Sequence, residues 1–222
     1  PDLEIAKQWI AATEEFVSVY KLGLEFFLTF GQSGVKAIQS ESDADIFLDL
    51  KLHDIPHTVA GSARAVATLA PRFLTVHASG GHSMINEAVQ ALPKTDVTAV
   101  TILTSLSEED LFEIGFSSPA LESAVALARM STEAGAKAIV CSPLEIQAIR
   151  AVVGLAVHII TPGVRPLSEL GGDDQKRTMT PRAAIDAGAS FVVIGRPITQ
   201  AWRDGRQAMR DRAEAIADEI LN

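Results

Sequence analysis

The chain has 222 residues, of which 47% are hydrophobic and 21% charged, with a formal net charge of −9. A chain of this length can bury roughly 70–75% of its unfolded surface, so it needs no disulfide or metal to fold. The acidic balance argues against a nucleic-acid or anionic-membrane partner, either of which wants a basic face, while an anionic small molecule can still sit in a local basic pocket.

The chain opens on a helix-like segment, "PDLEIAKQWIAA" (1–12). Short β-rich runs follow at 16–23, 45–52, 73–79, 97–105, 137–142, 156–163 and 190–197. Between them lie helical stretches such as 58–70 and 119–136, and an amphipathic segment at 205–221 closes the chain. Strand, helix, strand at this spacing means βαβ units and a parallel sheet. Seven strands behind a leading helix are one short of a (β/α)8 TIM barrel. Either an upstream strand belongs to the natural protein and is absent here, or the sheet is open; the expectation is the first, an α/β barrel. No composition break or linker divides residues 1–222, which read as one barrel domain. No apolar run approaches the ~18 residues of a membrane helix, and the first residues do not read as a signal peptide. The single cysteine, Cys141, closes a buried strand, offers no intrachain disulfide and fits a cytoplasmic protein.

The stretch "FLDLKLHDIPHT" (47–58) carries two acids and a lysine where a core strand ends. Side chains alternate along a strand. Ile46, Leu48, Leu50 and Leu52 therefore share one face, and Asp45, Phe47, Asp49 and Lys51 the other. In a barrel the apolar face packs on the helices, so Asp49 and Lys51 point inward at the carboxyl end, where barrel enzymes put their active sites. Lys21 ends its strand on the face of Val17 and Val19. His77 does so on the face of Thr75. Thr104 and Ser105 end "ILTS", and Gly195 with Arg196 ends the last strand. Polar groups from several strands thus gather at one rim.

The last strand adds phosphate chemistry, because "VIGRP" offers a glycine N–H and a guanidinium together. The segment 162–181 is rich in loop residues and long enough to form a lid over a ligand. His53 and His57 are four apart, with His77 and His82 beyond them. No glutamate completes a zinc motif there, and Pro56 starts a helix, so no metal site is expected.

In these motifs, "DLKLHDIPHT", "VHASGG", "TILTS", "TPGVRP", "DQKRTMTP" and "VIGRPIT", taken in order, the chain resembles orotidine 5′-monophosphate decarboxylase, the last enzyme of UMP biosynthesis. The resemblance implies the following roles. Lys51 would protonate C6 of the pyrimidine as CO2 leaves. Asp49 would lie beside the substrate carboxylate, and Lys21 would complete the charged network and contact the ribose. Asp54 would reach the active site of the neighbouring subunit of a homodimer, with Ile55 and Thr58 near it. Thr104 would hold the pyrimidine, and Pro162 and the lid would cover the ring. Gln175, Gly195 and Arg196 would bind the 5′-phosphate, with Arg165 supporting them. Family members begin with a strand whose aspartate contacts the ribose, and this chain starts just after that point. His57 stands where many members carry Asn or Thr, at the border of the subunit contact.

Removing CO2 from C6 leaves a vinyl carbanion with no adjacent carbonyl to take the charge. Most decarboxylases use a cofactor as electron sink, and the sequence shows no sign of one. The remaining option is a fixed ammonium at the carbanion that also delivers the proton. Two rivals share parts of the pattern. One is a 3-keto-gulonate 6-phosphate decarboxylase-like enzyme, which uses Mg2+. The other is a non-catalytic barrel that binds a phosphate ligand.

Overall fold

The computed structural model describes residues 2–166 and 179–221. Its framework is a parallel sheet of β1 (Val19–Gly23), β2 (Asp45–Leu52), β3 (Phe73–His77), β4 (Asp96–Val100), β5 (Ala138–Val140), β6 (His158–Thr161) and β7 (Phe191–Val192). Spatial order follows sequence order from β1 to β7, with every pairing parallel. Helices α1 (Leu3–Thr13), α2 (Leu24–Gln39), α3 (Pro56–Val66), α4 (Gly81–Ala91), α5 (Glu108–Glu113), α6 (Ala120–Glu133), α7 (Ile146–Val153), α8 (Pro181–Asp186), α9 (Arg196–Thr199) and α10 (Arg206–Leu221) fill the connections. The seven strands and the leading helix agree with the sequence reading.

Local chemistry sets the helix boundaries. Asp2 accepts a hydrogen bond from the Ile5 N–H and caps α1. Pro56 and Pro181 take the first turns of α3 and α8, where a missing N–H costs nothing. Ser107 and Asp110 cap α5 reciprocally.

The strands bury both faces, as parallel sheets do. Ile46, Leu48 and Leu50 of β2 join Leu74 and Val76 of β3 in the layer beneath the helices. Phe47, Phe73, Ala138 and Ile160 form a second cluster, against which Val19, Val140, Phe191 and Val193 pack. Contributions from β1 and β7 to one inner cluster mean that the sheet curls round it. Among the described residues β1 and β7 are not hydrogen-bonded to each other and form its two edges. The helical layer does meet there: Arg210 of α10 pairs with Glu15 at 2.9 and 2.7 Å, and Arg206 donates to the Ala11 carbonyl at the end of α1.

Several strands are shorter than their sequence patterns. The run 97–105 is a strand only to Val100, and Thr104 and Ser105 lie in the turn beyond it. The Thr101 N–H makes the last bond of the β4–β5 ladder, to the Val140 carbonyl, and its hydroxyl donates to the same oxygen. The run 190–197 supplies only the two residues of β7, because Gly195 and Pro197 start α9 instead.

Candidate active site

The inward residues of β1, β2 and β3 meet above the inner cluster. Gly23 of β1 is level with Asp49 of β2, which brings Lys21 beside the acid. Lys21 Nζ donates to Asp49 Oδ2 at 3.2 Å, and Lys51 Nζ donates to Asp49 Oδ1 at 2.8 Å. The Asp49 side chain is only 11% exposed, against 30% for Lys51 and 38% for Lys21. Burial pushes the Asp49 carboxyl up. The charges and hydrogen bonds of Lys21 and Lys51 outweigh that and hold it below its ordinary value. Two ammonium groups share one carboxylate, so the cluster presents a net positive charge toward the carboxyl end of the barrel, suited to an anion.

Lys51 does not reach this position by simple alternation. The pairing of β2 with β3 shifts register between Leu48 and Leu52, four residues on one strand facing two on the other. Lys51 sits in that irregularity with φ at +49°, one of two non-glycine residues with positive φ among the described residues. Such a backbone is disfavoured for any side chain and persists only where its surroundings hold it. Here the Lys51 N–H donates to Thr75 Oγ1 at 2.8 Å, and the Thr75 hydroxyl donates to Asp49 Oδ1 at 3.0 Å. Thr75 is fully buried. Alternation places it on the inward face, but nothing in the sequence announces these two bonds.

His77, two residues on, is half-buried beside the cluster. Its ring centroid lies 5.4 Å from that of His53. Burial chiefly, then the proximity of His53 and Lys51, pushes the His77 imidazole down from its ordinary value against the pull of Asp49. Among the described residues no three His, Cys, Asp or Glu side chains gather as a metal-binding set.

The other sequence-predicted residues stand around this centre. Asp54 is exposed, and its Oδ1 accepts from the Ile55 N–H at 2.6 Å rather than from Lys51. Ile55, 65% exposed, precedes α3, and Thr58 is exposed in its first turn. Thr104 and Pro162 are half-buried, just beyond β4 and β6. Gly163 has φ at +80°, a turn that glycine allows at no steric cost. Arg165 is buried and donates to its neighbour's carbonyl at Val164. Val164 bridges Met179, so the two ends of the loop 162–181 meet. Most of that loop, including Gln175, lies outside the described residues. Gly195 and Arg196 are exposed at the start of α9, and a β-carbon at Gly195 would meet nothing within 4 Å.

Comparison with known proteins places this geometry among relatives. A family model described as Orotidine 5′-phosphate decarboxylase / HUMPS family matches residues 1–211. The chain is 52% identical to the orotidine 5′-phosphate decarboxylase of Thermobifida fusca over 214 residues, covering 96% of this chain and 91% of that one. It is 44% identical over 218 residues to that of Frankia casuarinae, covering 90% and 79%. Among solved structures, the orotidine 5′-phosphate decarboxylase of Lactobacillus acidophilus superposes with a TM-score of 0.79 at 36% identity, over 91% of this chain and 86% of that one.

Proposed function

Because the chain belongs to the orotidine 5′-phosphate decarboxylase / HUMPS family, an enzyme family of the lyase class, we propose that it converts orotidine 5′-monophosphate to UMP and CO2 without a cofactor. The observation that carries this reading is the Lys21–Asp49–Lys51 cluster, with its surplus ammonium, at the carboxyl ends of β1 and β2. As the C6–carboxylate bond breaks, its electron pair stays on C6. Lys51 supplies a fixed positive charge there and then its proton, which balances the step. Asp49 keeps Lys51 aimed and stands beside the departing carboxylate. Lys21 holds the opposite oxygen of Asp49 and reaches toward the ribose. Electrostatic groups fixed before the reaction need no reorganisation when the charge develops, which is the source of their catalytic effect.

Arg196 and the Gly195 backbone bind the 5′-phosphate, together with Gln175. The open space at Gly195 supports this role, since a side chain there would fill it. Arg165 braces the loop between Pro162 and Met179, Thr104 holds the pyrimidine, and Pro162 borders the ring. Phosphate binding lies far from the bond that breaks, yet its free energy can drive closure and dehydration of the site. The protein acts in the cytoplasm as a homodimer. Its exposed Asp54, Ile55 and Thr58 complete the site of the neighbouring copy, and the failure of Asp54 to contact Lys51 within one chain supports that arrangement. Residues 1–222 act as one barrel domain.

The test is complementation. Lys51→Ala and Asp54→Ala chains are each expected to be nearly inactive on orotidine 5′-monophosphate. Mixed and re-equilibrated, they form hybrid dimers in which one site keeps both wild-type residues, and activity partly returns. Absence of turnover by the wild-type chain would contradict the decarboxylase. Turnover by the wild type without complementation would contradict the shared site.

A further inference from the structure

Thr75 carries no part of the roles assigned above, yet it touches two of the three groups in the cluster. A hydroxyl has one proton to donate and lone pairs to accept with. The Lys51 N–H can only donate and the Asp49 carboxylate can only accept. The direction is therefore fixed: Lys51 N–H to Thr75 Oγ1 at 2.8 Å, then the Thr75 hydroxyl to Asp49 Oδ1 at 3.0 Å. The same Oδ1 receives Lys51 Nζ at 2.8 Å. Backbone N–H, hydroxyl, carboxylate and ammonium close into a ring that grips Lys51 at both ends. The ring spans the register shift between β2 and β3, where Lys51 holds its positive φ.

We propose that Thr75 is a positioning residue for decarboxylation, whose hydroxyl fixes the Lys51 ammonium relative to Asp49 by bonding the backbone of one and the carboxylate of the other. The inference rests on the decarboxylase reading of the same site. Asp49 is faced by Lys21 from β1, by Lys51 on its own strand and by Thr75 and His77 from β3. Thr75 alone of these bonds both the acid and the backbone of the lysine. Its methyl group needs only space, so its hydroxyl is the part under test.

The experiment compares wild type, Thr75→Val and Thr75→Ser. Valine keeps the shape and removes both bonds, and serine keeps both bonds. Thr75→Val is expected to lower kcat about 10- to 100-fold, the scale of a misplaced catalytic group, while UMP binding stays within about threefold. The Asp49 carboxyl, followed by carbon-13 NMR, should titrate at higher pH in Thr75→Val and as wild type in Thr75→Ser. A folded Thr75→Val with wild-type kcat and Asp49 titration would overturn the proposal, as would a Thr75→Ser as impaired as the valine variant. If the valine variant does not fold, amide exchange in wild type decides: protection at Lys51 supports the bond to Thr75, and exchange at the rate of an open amide overturns it. If wild type fails to turn over the nucleotide, the decarboxylase reading fails, and the Asp49 titration and Lys51 exchange still judge Thr75.

Discussion

Lys51 places its ammonium 2.8 Å from Asp49 Oδ1 while its own backbone stands at φ +49°. A left-handed residue with a side chain costs about 1–2 kcal/mol. In this fold that conformation coincides with the residue expected to do the chemistry, and its neighbours on β2 and β3 hold it there. Strain of this kind at a reactive centre is a recurring form of preorganisation.

Asp49 is the hub of the cluster, so its charge should matter more than its shape. Asp49→Asn leaves Lys21 and Lys51 facing each other with no anion between them. Loss of a buried hydrogen-bonding partner of this kind costs about 1–3 kcal/mol, and denaturant unfolding should show a lower midpoint with unchanged slope. Turnover of orotidine 5′-monophosphate should fall at least about 100-fold, in the range for removal of one preorganised group.

The pH dependence of stability follows from the same carboxylate. Asp49 is held below its ordinary value of 3.8 in the folded chain, so below that pH the unfolded chain binds the proton more readily. Its contribution is complete above about pH 3.8 and is lost as pH falls through the lower folded value. His77 is likewise pushed below 6.5, so the folded state favours the neutral ring, and stability begins to fall as pH drops below about 6.5. Urea unfolding should therefore show stability falling below about pH 6.5 and again in the acid range. His77→Gln should remove the first fall and Asp49→Asn should lessen the second, to which Glu15, held low by Arg210, also contributes.

Gly80 is small for a packing reason. A β-carbon there would collide with the Met84 Sδ and Cε and press the His53 ring at 3.2 Å. These atoms are the far end of the flexible Met84 side chain, which is fully buried and must repack within the core. Gly80→Ala should destabilise the fold by about 1–3 kcal/mol, the usual cost of overpacking. Thermal unfolding would register it, and Gly81→Ala, with open space around its β-carbon but φ at +83°, separates backbone strain from collision.

Arg196→Ala should weaken binding of UMP by at least about tenfold, as loss of a charge-assisted contact does. Binding of uridine, which lacks the phosphate, should hardly change. Calorimetric titration of both ligands is the check, and equal losses would remove Arg196 from the phosphate site.

Much of the fold was legible because the period-two pattern of a barrel strand is strict. Phe47 and Asp49 fall on the inner face and Ile46, Leu48 and Leu50 on the outer, and the same rule brings Lys21, Thr75 and His77 toward Asp49. Alternation puts Lys51 on the inner face, but not for the reason the structure shows. Its inward position depends on a register shift and a left-handed backbone that a lysine does not advertise, as glycine or asparagine would. The sequence pattern carries β4 on to Thr104 and β7 on to Arg196, though both strands end sooner, because apolar composition continues past the last ladder bond. The two bonds of Thr75 were not legible at all, since a threonine in a strand is ordinary and only the third dimension brings it to both partners.

The account stands or falls on catalysis by the Lys51 cluster. The most direct measurement follows the ultraviolet absorbance of orotidine 5′-monophosphate with wild type and Lys51→Ala, each with and without EDTA. The predicted result is loss of the substrate signal with wild type, unchanged by EDTA, and none with a folded Lys51→Ala. Turnover that survives Lys51→Ala, or that EDTA abolishes, would contradict a metal-free decarboxylation centred on that ammonium.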